Sequence, residues 1–238
     1  MPRSDLASRV ASIDWSRIEA DLDAQGFAVL PRLLDDAACR ALAKSYTETA
    51  PFRSRVVMAR HGFGRGEYKY FAYPLPPTIG VLRTSLYPRL AGVANRWNES
   101  MGLDVRYPEE LDAFLARCHA AGQSRPTPLL LRYGPDDYNC LHQDLYGEHV
   151  FPLQAVFLLS SPGEDFEGGE LALVEQRPRM QSRVSVVRFG KGEGVVFAVN
   201  QRPVRGTRGW YRVAMRHGVS RLVSGERYTA GVIFHDAT

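Results

Sequence analysis

The sequence predicts an antiparallel β-sandwich or barrel, buttressed by helices from the N-terminal half. Strand-like apolar runs crowd the segment after Pro128, and Gly, Pro, Asp and Ser punctuate them at short intervals. Before that point apolar residues recur every three or four positions, which is the helical period. With 238 residues, 45% of them hydrophobic, the chain can bury one substantial core, so a single domain over 1–238 is expected. Residues 1–127 supply mainly helical support plus a hairpin, and 128–238 the β-barrel core.

Element by element, Asp14 caps a helix whose apolar stripe is Trp15, Ile18 and Leu22 and which Gly26 stops. Phe27 to Leu30 reads as a short buried strand ended by Pro31. Asp35 or Asp36 caps a second helix, with Ala38, Leu42 and Tyr46 on one face. A third helix runs from about Pro77 to Trp97, with Ile79, Leu82, Leu86, Leu90, Val93 and Trp97 facing inward; Pro88 bends or divides it. Glu109 to Ala121 offers a fourth. Between the second and third, Val56–Arg60 and Glu67–Phe71 flank a glycine-rich tip, which predicts a hairpin over 56–71 that either lids an active site or is plain surface. Beyond Pro128, strands are expected at 129–133, 150–159, 170–174, 184–189, 194–199, 210–215 and 227–234, with an Arg/Gly-rich link over 201–209.

Composition removes several function classes. No apolar run approaches the ~20 residues that span a bilayer. The first residues lack the basic-then-apolar design of a secretory signal, so a cytoplasmic location is expected. Cys39, Cys118 and Cys140 are too scattered for a disulfide framework or zinc knuckle and are expected to pack in or near the core as free thiols. The net charge of +4 is modest, but between Arg177 and Arg227 only Glu193 and Glu226 oppose the basic residues. Such a stretch is either a solvated sheet face or an attractor for an anionic partner.

Chemistry concentrates in Leu141-His-Gln-Asp-Leu145. In extended chain, residues two apart point to one side, so His142 and Asp144 can address a single point. Two histidines and a carboxylate on one face suit Fe(II) and leave positions open for a chelating substrate and O2. His61, His119, His149, His217 and His235 are the candidates for the third ligand, and His217 lies late enough for a folded barrel to bring it back. Arg227 opens the last strand; if that strand lies beside the one bearing His217, the guanidinium enters the same cavity. A buried arginine there needs an anion, and a dicarboxylate held by its far end supplies one.

His142-x-Asp144, Glu167-Gly-Gly-Glu-Leu171, Gly192-x-Gly194-x-x-Phe197, His217-Gly-Val219 and Gly225-x-Arg227 together resemble the Fe(II)- and 2-oxoglutarate-dependent oxygenases. Order and spacing are similar to the prolyl-hydroxylase branch, over about residues 128–236. The resemblance implies a double-stranded β-helix (jelly-roll) barrel. It implies Fe(II) on His142, Asp144 and His217, with 2-oxoglutarate anchored by Arg227. It also implies decarboxylation of the oxo-acid to succinate as the substrate is oxidised by O2, with ascorbate in a supporting role. Tyr133, on the strand before the metal pair, is a second contact for the oxo-acid or else a core tyrosine. Tyr138, Asn139 and Tyr146 flank the metal motif and are candidates to face substrate.

Asn139-Cys-Leu-His-Gln-Asp-Leu-Tyr-Gly, Arg202-Pro-Val-Arg-Gly-Thr-Arg-Gly and Phe234-His-Asp-Ala resemble a bacterial oxygenase group whose name proposes action on damaged nucleic acid. Arg221 and Arg227 share the spacing of two arginines in AlkB-type demethylases. In that pattern, however, the first arginine holds the oxo-acid, and here the second is the better match. Three functions follow: oxidation of a protein side chain or small molecule, demethylation of nucleic acid, and a metal-holding barrel without catalysis. The nucleic-acid reading draws on Arg202, Arg205, Arg208 and Arg212, and on Arg53, Arg55, Arg60, Arg65 and Lys69 with Tyr68, Tyr70 and Phe71.

Overall fold

A computed structural model describes residues 3–238. Helix α1 (Arg3–Ala11), which the periodicity did not reveal, precedes α2 (Trp15–Gln25). Asp14 caps α2 by accepting from the Arg17 amide, and Gly26 ends it at φ 81°, a left-handed conformation open to glycine. Strand β1 (Phe27–Leu30) follows at once, and Asp35 caps α3 (Asp36–Ser45) through the Ala38 amide. Helix α4 (Pro77–Ser100) is continuous through Pro88. Leu86, Tyr87, Leu90 and Ala91 on either side of the proline are all buried, and that packing outweighs one missing backbone bond. Helix α5 (Leu111–Ala120) completes the set. Among the described residues, no helix is long and apolar enough to cross a membrane.

The hairpin differs from expectation in register. Its arms are β2 (Phe52–Val57) and β4 (Glu67–Phe71), and Met58–Arg60 is a 3-10 turn with Met58 fully buried. The tip forms a strand of its own, β3 (Gly64–Arg65). Strand β4 pairs with β5 (Leu129–Tyr133), whereas β3 pairs with β6 (Tyr138–His142). The loop is thus stitched to the strand that carries His142, with the Cys140 amide donating to the Phe63 carbonyl at 2.9 Å.

The remaining strands are β7 (Leu153–Leu158), β8 (Phe166–Gly168), β9 (Leu171–Gln176), β10 (Arg183–Val187), β11 (Gly194–Ala198), β12 (Gln201–Gly206), β13 (Gly209–Val219), β14 (Leu222–Gly225) and β15 (Arg227–Val232). The supposed Arg/Gly-rich link is therefore β12 paired with the start of β13. Pro203 is tolerated because β12 is an edge strand paired to β13 alone. Seven strands form one antiparallel sheet in the order β1-β11-β7-β15-β5-β4-β2, and a second runs β10-β9-β13-β6-β3.

Alternation along the large sheet separates its two faces. Leu153, Ala155 and Phe157 of β7, Val196 and Ala198 of β11, and Ala230 and Val232 of β15 join the helices in the main core. Their neighbours Leu158, Val195 and Phe197 join Leu171, Leu173 and Val187 of the second sheet in a smaller inner cluster. Helices therefore cover one face of the large sheet, and the space between the sheets opens into a cavity.

Beyond β15, His235 and Asp236 are fully buried. Asp236 is ion-paired with Arg83 of α4 at 2.7 Å and lies 2.9 Å from His119 of α5. His235 accepts from the Phe151 amide at 3.2 Å, and burial pushes its pKa down to about 4. Because the folded value lies below the unfolded one of about 6.5, stability is fully present above that value and is lost as pH falls toward 4. The shift corresponds to about 3 kcal/mol. Denaturant unfolding at pH 7.5 and pH 5 should show this fall in the wild type and a smaller one in His235→Gln; equal slopes would place the titration elsewhere.

Candidate metal centre and oxo-acid cavity

His142 ends β6, and Asp144 follows as the chain leaves the strand. Gln143 between them points away and donates to the Met215 carbonyl at 2.8 Å, which fixes the turn of chain that aims its neighbours inward. His217 lies opposite His142 in the β13–β6 register, inside a strand longer than expected, and the two rings are 4.1 Å apart. Donor atoms of His142, Asp144 and His217 all fall within 4.8 Å of one another, as a single divalent ion requires. The other histidines are not part of this group.

The electrostatics prepare these donors. His142 Nδ1 faces the Cys140 carbonyl at 2.8 Å, so that nitrogen carries the proton and Nε2 keeps its lone pair. Burial, then the neighbouring His217, lower the His142 pKa. Asp144 is 7% exposed; burial pulls its pKa up, but the contact with His217, the charge of both histidines and the Tyr146 hydroxyl outweigh it. The net shift is downward, and the carboxylate is ionised. Two imidazoles and one carboxylate form a donor set that Fe(II) fits.

These groups lie in a cavity of about 320 Å³ that also contains Arg227 and Tyr133. Arg227 comes from the large sheet, paired with β5 and β7, and not from beside the His217 strand. It reaches the same space from across the barrel. Arg227 is 2% exposed and its Nη1 has no hydrogen-bond partner. Burial lowers its pKa to about 10, which still leaves it a cation near neutrality. A buried, unpaired guanidinium is costly unless an anion joins it, so the residues present fit a dicarboxylate. Tyr133, opposite Arg227 in register, has its ring 5.6 Å from the guanidinium and its hydroxyl buried without a partner. Burial raises its pKa to about 12, so it remains a neutral donor.

Gly169 makes room for Arg227. A Cβ there would lie 2.7 Å from Leu222 Cδ1 and 3.0 Å from Arg227 Cδ, and φ is +63°. Gly169→Ala is expected to displace the guanidinium and raise half-saturation by the oxo-acid several-fold, while metal affinity stays as in wild type. Oxo-acid titration of both proteins measures this, and an unchanged value would free Arg227 from dependence on this turn.

Three residues escaped the sequence argument or were assigned differently. Gln154 reaches Asp144 and His217, and its signal was a lone polar residue in the apolar run 150–159. Thr229 shares the Arg227 face of β15 and lines the cavity. Tyr146, a candidate substrate contact, instead donates to Asp144 Oδ1 at 2.6 Å. Of its companions, Asn139 lines the cavity and Tyr138 is exposed on the rim strand. Cys39 and Cys118 are buried as expected, but Cys140 is exposed at the cavity mouth.

Several of the basic residues are engaged within the fold. Arg202 is 1% exposed and paired with the buried Glu175, so it is structural. Lys69 donates to the Tyr46 and Glu48 carbonyls, Arg55 pairs with Glu67, Arg53 donates to the Pro126 carbonyl, and Arg212 donates to the Met101 carbonyl.

A family model described as an oxygenase catalysing oxidative methylation of damaged DNA matches residues 66–237. An uncharacterized protein of Mycobacterium tuberculosis is 53% identical over 167 residues, 70% of this chain and 72% of the relative. Among solved structures, a Pseudomonas putida prolyl-4-hydroxylase aligns with TM-score 0.57 at 15% identity, covering 94% of this chain and 99% of that one. A 2OG-Fe(II) oxygenase family oxidoreductase from Burkholderia pseudomallei gives TM-score 0.56 at 14% identity, covering 94% and 92%. The chain belongs to the Oxygenase-NA family of oxygenases, and it has the double-stranded β-helix fold of these structural neighbours.

Proposed function

We propose that the protein hydroxylates an uncharged group on a protein side chain or small molecule, with His142, Asp144 and His217 holding Fe(II) and Arg227 holding 2-oxoglutarate. The single observation that carries this reading is the unpaired guanidinium in the same cavity as the three donors. When bound, the metal and its oxo-acid supply the oxidising power: one O2 is consumed, 2-oxoglutarate becomes succinate and CO2, and the substrate gains one oxygen.

The chain's own residues do the rest. Arg227 pairs with the far carboxylate of the oxo-acid, and the Tyr133 hydroxyl donates to it. Asp144 stays ionised, and the imidazole protons stay on the nitrogens that face away from the metal position. Between the ligands and the mouth, Phe63, Tyr68, Tyr70, Leu129 and Ile233 form an uncharged wall that excludes water and receives an apolar or aromatic group.

A second reading, oxidative demethylation of nucleic acid, is favoured by the family description and by the rim. There Phe63 stacks on His61 at 5.3 Å, with Arg60 and Arg65 exposed on the same hairpin. Succinate formation from 2-oxoglutarate with Fe(II), ascorbate and O2 tests the activity. Stimulation by peptides or small apolar compounds supports the first reading. Stimulation by alkylated oligonucleotides, with salt-sensitive binding, would replace it with the second. No turnover and no oxo-acid binding would leave a non-catalytic metal-holding barrel.

A further inference from the structure

Neither oxygen of Asp144 is left to the metal alone. Tyr146 donates to Oδ1 at 2.6 Å, and Gln154 Nε2 donates to Oδ2 at 2.9 Å. The same Gln154 nitrogen lies 3.1 Å from His217 Nε2, so its two hydrogens serve two of the three proposed ligands. Tyr146 is itself held, because the Tyr70 hydroxyl donates to it at 3.1 Å. Tyr70 belongs to the hairpin strand β4 and Gln154 to β7, and neither strand carries a ligand.

Packing gives no reason for this glutamine. It is 6% exposed in a strand otherwise made of Leu, Ala, Val and Phe, and its Oε1 is buried without a partner. An apolar residue of the same shape would avoid that desolvation cost. What the glutamine alone supplies is an N–H pair that bridges a carboxylate and an imidazole.

We propose that Gln154 and Tyr146 are positioning residues of the metal centre, which hold Asp144 and His217 assembled before metal arrives. His217 would give up the amide contact to hold the metal, and Tyr146 and Gln154 would keep Asp144 fixed in orientation. The Tyr70 hydroxyl extends this support to the hairpin, so the rim of the cavity and the carboxylate ligand are joined by one chain of phenols. The inference rests on the metal reading above and concerns residues outside the ligand set.

Co(II) titration of the metal-free protein, followed by its visible absorption, tests this without turnover. Gln154→Met keeps the volume and loses the donors; Tyr146→Phe loses one hydroxyl. Each is expected to weaken Co(II) binding about tenfold and to alter the Co(II) spectrum. Metal-free Gln154→Met should melt below wild type, since the buried Asp144 Oδ2 loses its donor, although the variant also sheds a buried unpaired oxygen. Tyr70→Phe should weaken binding less than Tyr146→Phe, and should add nothing when combined with it. Variants that bind Co(II) like wild type with an unchanged spectrum overturn the proposal, and a lower melting point alongside that result assigns both residues to packing. A wild-type protein that binds no Co(II) would overturn the metal reading itself.

Discussion

Replacing His142 with alanine is expected to abolish succinate formation while leaving the protein folded. The side chain is about one-third exposed, and its hydrogen bond is a local one to the Cys140 carbonyl. Its removal should therefore cost only modest stability and leave the fold intact. Asp144 and His217 would remain, but two donors do not make the three-sided face that holds Fe(II) while leaving room for a chelate. Turnover in His142→Ala should match that of wild type stripped with a chelator, and Fe(II) should restore only the latter. Substantial succinate from the mutant would remove His142 from the ligand set. Asp144→Ala is a poorer probe, because it strands the Tyr146 hydroxyl and the Gln154 amide as well.

Arg227 offers the second large effect, and it has opposite signs in two assays. Arg227→Met removes a buried cation that faces two aromatic rings and whose Nη1 has no hydrogen-bond partner. The metal-free mutant should melt at or above the wild-type temperature, since an unpaired charge no longer has to be buried. Binding of 2-oxoglutarate should suffer, because a charge-assisted hydrogen bond contributes about 1.5–3 kcal/mol. Half-saturation then rises on the order of 10- to 150-fold, at about 1.4 kcal/mol per factor of ten. Arg227→Lys should fall between the two, since an ammonium restores the charge but not the planar fork. Unchanged half-saturation would clear Arg227 of this role, and a sharp drop in melting temperature would make it a structural residue.

Sequence alone pointed to the three side chains that the fold clusters because two of them share one short extended segment and the third lies in a motif of recognisable spacing. It pointed to Arg227 for the same reason but left its strand open: β15 could have lain beside the His217 strand, and in the fold it inserts between β7 and β5. Strand pairing is a non-local choice that no window of residues contains. The β12 strand hid behind Pro203 and its arginines, whose burial on Glu175 only the folded molecule provides. Gln154 and Tyr146 escaped for a related reason. Their partner is a side chain from another element, and hydrogen bonds between side chains leave no periodic trace.

The position of β15 also bears on how the protein is made. This strand fills the middle of the seven-stranded sheet, between strands that precede it in the chain by some seventy to a hundred residues. Until synthesis has passed residue 232, β5 and β7 each present an unpaired edge. Exposed edges of apolar strands recruit other chains, and such long-range closure is slow. Chains that have not yet placed β15 should therefore be the species most prone to aggregation, and the yield on refolding should fall as protein concentration rises.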